Sequence, residues 1–163
     1  MVTAAGGAKG GTSNLGTADV LLPDADFLGR GVVRSDLTDH LVNATKSGKQ
    51  ISGGHDLKNF TSALNEAGGT VVSRVEKAPG IFEVQYKLPN ATKPATKTVY
   101  DPSAYPDMPD MANLAANKAL TQYQLTRNLS PTVVVNGVKF SVPIRMQSGK
   151  PYVATAFPVG VMK

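Results

Sequence analysis

Apolar residues recur along this chain with two different periods. Leu37, Leu41 and Ala44 share one face of a short predicted helix, capped by Ser35, running to about Lys46 and followed by Gly48. After Gly53-Gly54, Asp56 can cap a second helix, in which Leu57, Phe60, Leu64 and Ala67 keep helical spacing until Gly68-Gly69. The period then drops to two. Val71-Val72 open a strand, Pro79-Gly80 turn the chain, and Phe82, Val84, Tyr86 and Leu88 alternate along the next strand. A loop carrying Lys93-Pro94 precedes a short strand from Lys97 to Asp101, ended by Pro102.

Met108 to about Asn128 reads as the longest helix, with Pro109 tolerated in its first turn. Met111, Leu114, Ala115, Ala119 and Tyr123 are its expected core face. Val133-Val134-Val135, the turn dipeptide Asn136-Gly137, and alternating Val138, Phe140, Val142 and Ile144 predict a hairpin. Ser148-Gly149 turns into a final strand from Tyr152 to Phe157, ended by Pro158. Helices early and strands late indicate an α+β class, with N-terminal helices followed by a curved antiparallel sheet. There are no internal repeats. Residues 1–19, rich in Gly, Ala, Ser and Thr, read as a flexible linker or the cut end of a larger chain. Residues 20–163 read as one domain.

Composition narrows the chemistry. A chain of 163 residues is long enough to bury a core, and its apolar runs are too short to span a bilayer. A formal charge of +5 favours a polyanionic partner such as nucleic acid. The absence of cysteine removes disulfides and thiolate zinc sites. The first residues lack the basic-then-apolar plan of a signal peptide, so export would depend on a parent chain or a dedicated machine.

Only two histidines are present, His40 and His55. Two imidazoles suffice for acid–base cleavage of RNA without a metal or cofactor: one takes the 2′-hydroxyl proton while the other protonates the departing oxygen. Gly53 and Gly54 bend the backbone before His55 and can let a phosphate approach the amides, at the mouth of the helix capped by Asp56. The same pair also serves an ordinary turn. His40 lies on the first helix, where Asp36 and Asp39 can raise its pKa and keep it protonated, or where its ring simply packs. A lysine is the usual point charge for the phosphorane, with Lys97 the choice and Lys93 the reserve. On the final strand, Val153, Thr155 and Phe157 share a face, so Thr155 can bond a base edge while Phe157 stacks on a base.

Four blocks in this order resemble a known family. They are Gln50-Ile51-Ser52-Gly53-Gly54-His55-Asp56-Leu57-Lys58-Asn59-Phe60, Ala78-Pro79-Gly80-Ile81-Phe82-Glu83, Lys97-Thr98-Val99-Tyr100-Asp101-Pro102 and Thr155-Ala156-Phe157-Pro158. Over residues 22–160 the chain resembles the EndoU-type nuclease toxins at the C-terminal tips of CdiA contact-dependent growth inhibition proteins. His40 and His55 are 15 positions apart, close to the separation seen across that family.

The resemblance implies a barnase/EndoU/colicin/RelE-like nuclease fold. It gives His40 the general-acid place, His55 the general-base place, Lys97 the lysine place and Thr155 the threonine place. Phe157 stands where the family commonly carries tyrosine. The partners implied are RNA, tRNA in related toxins, and a cognate immunity protein, the chain otherwise being a monomer with no membrane-spanning segment. The implied route is export as the tip of a large cell-surface protein, with action in the cytoplasm of the target bacterium. Three alternatives remain at this level: a non-catalytic RNA- or tRNA-binding module, a metal-dependent DNA nuclease toxin, and an adhesin fragment.

Overall fold

The computed structural model of the protein describes residues 25–26 and 30–162. The expected linker, residues 1–19, lies outside the described residues. The class is α+β, but the elements interleave. Strands β1 (Ala25–Asp26) and β2 (Val32–Val33) precede helix α1 (Leu37–Val42), and the hairpin β3 (Ala44–Ser47) and β4 (Gln50–Gly53) separates it from α2 (Leu57–Glu66). Then come β5 (Thr70–Ala78), β6 (Ile81–Lys87) and β7 (Ala95–Tyr100), and the long helix α3 (Met108–Thr126). Five strands follow: β8 (Thr132–Val135), β9 (Val138–Ser141), β10 (Ile144–Gln147), β11 (Lys150–Val153) and β12 (Phe157–Val161).

The single curved sheet expected after N-terminal helices is replaced by four small sheets. Their orders are β1-β2-β11-β10, β12-β9-β8, β3-β4 and β5-β6-β7. Among the described residues all strand pairings are antiparallel except β2 with β11, which sets Val32–Val33 beside Tyr152–Val153. Turn chemistry sets three of the hairpins. Asn136-Gly137 and Ser148-Gly149 each hold two successive positive φ angles, the pattern of a type I′ turn. Pro79-Gly80 joins β5 to β6, with Gly80 at φ 79°.

Two elements depart from the helical and strand periods. Helix α1 starts after Asp36 rather than Ser35 and stops at Val42, because residues 44–47 pair with residues 50–53 and the ladder outweighs the Leu37/Leu41/Ala44 spacing. The final strand is two strands. β11 ends at Val153, and β12 begins at Phe157 and runs through Pro158 in a different sheet. Leu114, expected in the core, is 57% exposed on α3.

Two clusters of buried residues fill the interior. One surrounds α3, with Leu37 and Leu41 of α1, Tyr100, Phe140 and Val153. The other lies under α2, where Phe60 and Leu64 meet Ile51, Val84, Tyr86 and Val99. Strand β7 is a shared wall: Val99 points into one cluster and its neighbour Tyr100 into the other, as a period of two requires. The candidate site sits on this seam.

Candidate functional site at the seam between the two clusters

The glycine turn is built into the end of helix α1. A helix leaves its last four carbonyls without intrahelical partners, and here every one is satisfied. Asp39 O accepts from Asn43 N at 2.8 Å, His40 O from Gly54 N at 3.1 Å, Leu41 O from His55 N at 2.6 Å, and Val42 O from Asn59 Nδ2 at 2.9 Å. These bonds fix His40 and His55 relative to each other. They also correct one expectation: the Gly54 and His55 amides serve α1 and are not a cradle for phosphate.

The glycines are required for close approach of the backbone. Gly53 and Gly54 lie at φ 65° and 63°, and both are buried. A Cβ on Gly54 would stand 2.2 Å from the Ala44 Cβ, and one on Gly53 would stand 2.5 Å from His40 O and 3.2 Å from His40 Nδ1. The His40 ring therefore lies over Gly53. On the other side, Lys97 Nζ donates to Gly53 O at 2.6 Å. His40, Gly53 and Lys97 thus form one contact group.

His55 completes it. Its Nδ1 lies 2.6 Å from Thr98 O, and since a carbonyl only accepts, Nδ1 carries the proton. The lone pair is then on Nε2, the nitrogen a general base would use. Tyr100 N donates to His55 O at 2.7 Å, tying the backbone to β7, and Asp56 Oδ1 caps α2 through Asn59 N at 3.0 Å. The ring expected to stack on a base, Phe157, stacks instead on His55, with centroids 4.7 Å apart and planes 1° from parallel.

Charge in the site is positive and lacks a counter-ion. Burial, helped by Lys97 and His40 and opposed by the Thr98 bond, pushes the His55 pKa down to about 3. Burial alone brings Lys97 down to about 8. His40 is also lowered, by burial, Arg34 and Lys97, which outweigh Asp36 and Asp39. The expectation that these aspartates hold His40 protonated fails for a plain reason: both are engaged elsewhere. Asp36 is paired with Arg34, and Asp39 Oδ1 accepts from Asn43 Nδ2 at 2.6 Å. Among the described residues, no carboxylate lies within ion-pair distance of His40, His55 or Lys97.

Thr155 lies in the short link between β11 and β12, two residues before Phe157. Its Oγ1 is buried and makes no hydrogen bond among the described residues. Lys93 is exposed in the loop before β7, so of the two candidate lysines it is Lys97 that joins the histidines. Sequence reasoning missed the Thr98 carbonyl, the Arg34–Asp36 pair and Asn59; a backbone acceptor leaves no mark in a sequence. Among the described residues no group of three or more His, Cys, Asp or Glu is placed to hold a metal ion, and no helix is long and apolar enough to cross a membrane. No family model matches the chain, and no curated protein matches it.

Proposed function

We propose that the protein is an RNA endonuclease of the EndoU type, on a barnase/EndoU/colicin/RelE-like scaffold, working by transesterification. The observation that carries this reading is the convergence of His40, His55 and Lys97 around Gly53 with no carboxylate partner. Burial and the Lys97 charge hold both imidazoles low, and with no carboxylate opposite Lys97 the site is short of one anion. A phosphodiester supplies it, and its charge raises both imidazole pKa values toward the working range.

In this mechanism His55 Nε2 takes the proton of the ribose 2′-hydroxyl, and the oxygen attacks the adjacent phosphorus in line. Lys97 neutralises the charge gathering on the phosphorane, and His40 protonates the departing 5′-oxygen. The products are a 2′,3′-cyclic phosphate and a 5′-hydroxyl. DNA lacks the attacking group and stays intact. The Thr155 hydroxyl is the group free to bond the substrate. With the resemblance set out above, the reading extends to a toxin that cleaves tRNA in a neighbouring bacterium's cytoplasm, delivered at the tip of a cell-surface protein. A cognate immunity protein protects the producer.

The test is incubation of the purified protein with total tRNA in a chelator, followed by end analysis of the fragments. Cyclic phosphate ends are expected, and His40→Ala or His55→Asn is expected to slow cleavage by on the order of 10²–10⁴-fold. Intact tRNA, or cleavage by both variants at the wild-type rate, would overturn the reading.

A further inference from the structure

The hairpin β3–β4 leaves the site as an isolated two-stranded ribbon, paired with no other sheet. Its base is the site itself: Ala44 pairs with Gly53, whose carbonyl holds Lys97 and over which His40 lies. The ribbon is firmly rooted. Ile51 is buried in the cluster under α2, and its amide donates to the Tyr86 hydroxyl at 2.8 Å. Beyond Ile51 the ribbon stands clear of the protein, and a Cβ on Gly48 at its tip would meet nothing within 4 Å. Four strand residues carry it about 10 Å from the catalytic group.

What it displays is polar and free of negative charge. Thr45 pairs with Ser52 and Ser47 with Gln50, so these four share one face, and all are exposed. Lys46 pairs with Ile51 and so belongs to the opposite face, and Lys49 lies in the turn; both are exposed, and no Asp or Glu occurs from residue 40 to residue 55. A ribbon with three hydroxyls and an amide on one face, an ammonium group at its tip and another on the opposite face, with no carboxylate, is chemistry for phosphate and sugar rather than for bases.

We propose that the β3–β4 ribbon is an RNA-backbone site: Thr45, Ser47, Gln50 and Ser52 bond sugar and phosphate oxygens beside the scissile linkage, Lys49 at the tip holds a phosphate, and Lys46 adds positive charge from the opposite face. The proposal rests on the nuclease reading for its substrate. It predicts that recognition extends past the cleaved linkage and is independent of base sequence on that side.

The decisive experiment pairs two measurements on wild type, Lys46→Ala/Lys49→Ala, and a charge-matched control, Lys77→Ala/Lys87→Ala, whose lysines are exposed on β5 and β6. The first is fluorescence anisotropy with a non-cleavable 2′-O-methyl decanucleotide over a range of salt. The ribbon variant is expected to bind about tenfold more weakly, with a log–log salt slope shallower by about 0.7–1.4, while the control stays near wild type. The second is cleavage of the matching RNA decamer. The ribbon variant is expected to show a raised KM with kcat retained.

Unchanged affinity and slope in the ribbon variant, or equal losses in the control, would overturn the ribbon site even if wild type cleaves the RNA. Failure of wild type to cleave, together with a selective affinity loss in the ribbon variant, would remove the nuclease reading and leave the backbone site standing. Failure of both measurements would remove both.

Discussion

The imidazole of His55 and the ring of Phe157 lie face to face, 4.7 Å apart and within 1° of parallel. The stack closes one side of His55 while Thr98 O fixes its Nδ1 proton, so ring position and tautomer are set by different elements, β12 and β7. Phe157 is thus a positioning residue for His55. Phe157→Leu keeps an apolar side chain but loses the flat face. It is expected to lower kcat about tenfold with KM nearly unchanged, and to destabilise the fold by about 1–2 kcal/mol. Phe157→Tyr should keep both. Steady-state kinetics and urea unfolding read the two effects, and NMR should show the His55 ring protons losing their ring-current shift in the Leu variant. A loss confined to KM would return Phe157 to a base-stacking role.

Burial of His55 has a consequence for stability against acid. Its folded pKa of about 3 lies below the ordinary value of 6.5, so between these limits the unfolded chain binds a proton that the folded protein refuses. Stability from this group is complete above about pH 6.5 and falls as the pH drops toward 3, by a few kcal/mol at about 1.4 kcal/mol per pH unit. His55→Asn can still donate to Thr98 O through its amide but takes up no proton. Urea unfolding at pH 7 and pH 4 should show a smaller acid loss in this variant than in wild type. Equal losses would mean that other groups govern the acid transition.

Local rules were legible where the deciding contacts are local. Asp56 caps α2 as its position predicts, Phe60 and Leu64 are buried, and Asn136-Gly137 turns its hairpin. Long-range pairing was not legible. The alternation of Val138, Phe140, Val142 and Ile144 correctly marks burial, but it runs through Pro143, where the chain leaves the sheet of β9 for that of β10. Proline lacks the amide that would continue the ladder, so the break has a local cause, yet the destination sheet does not. At the site, the residue types His40, His55 and Lys97 were readable. That Phe157 would cover His55, and that α1 would take up the turn amides, depends on contacts between residues far apart in sequence.

The two kinds of glycine turn can be separated by experiment. Gly54 and Gly48 have nearly the same φ, 63° and 61°, but a Cβ on Gly54 strikes the Ala44 Cβ and Cα at 2.2 and 2.7 Å whereas one on Gly48 meets nothing. Gly48→Ala should therefore cost only the left-handed strain, about 1–2 kcal/mol. Gly54→Ala adds a collision between the glycine turn and Ala44 of β3 and should cost at least about 3 kcal/mol, with loss of activity, because the bonds from residues 54 and 55 to α1 are displaced. Equal melting temperatures for the two variants would show that the tight approach at Gly54 is not needed.

Thr155 gives a prediction in which stability and activity move in opposite directions. Its Oγ1 is buried and makes no hydrogen bond among the described residues, so folding strips the hydroxyl of water without replacing the lost bond. A group in that position costs the native state about 1–3 kcal/mol. Thr155→Val keeps the branched shape and removes the polar atom. If the hydroxyl is held ready for RNA, the variant should unfold at higher urea, by about 1 kcal/mol, and should cleave RNA more slowly, with the loss largest in kcat/KM. A threonine kept only for packing or for a structural hydrogen bond would give unchanged or lowered stability and unaltered cleavage. Measuring urea midpoint and kcat/KM on the same preparation separates the two outcomes, because only a hydroxyl that finds its partner in the substrate gains stability on removal and loses activity with it.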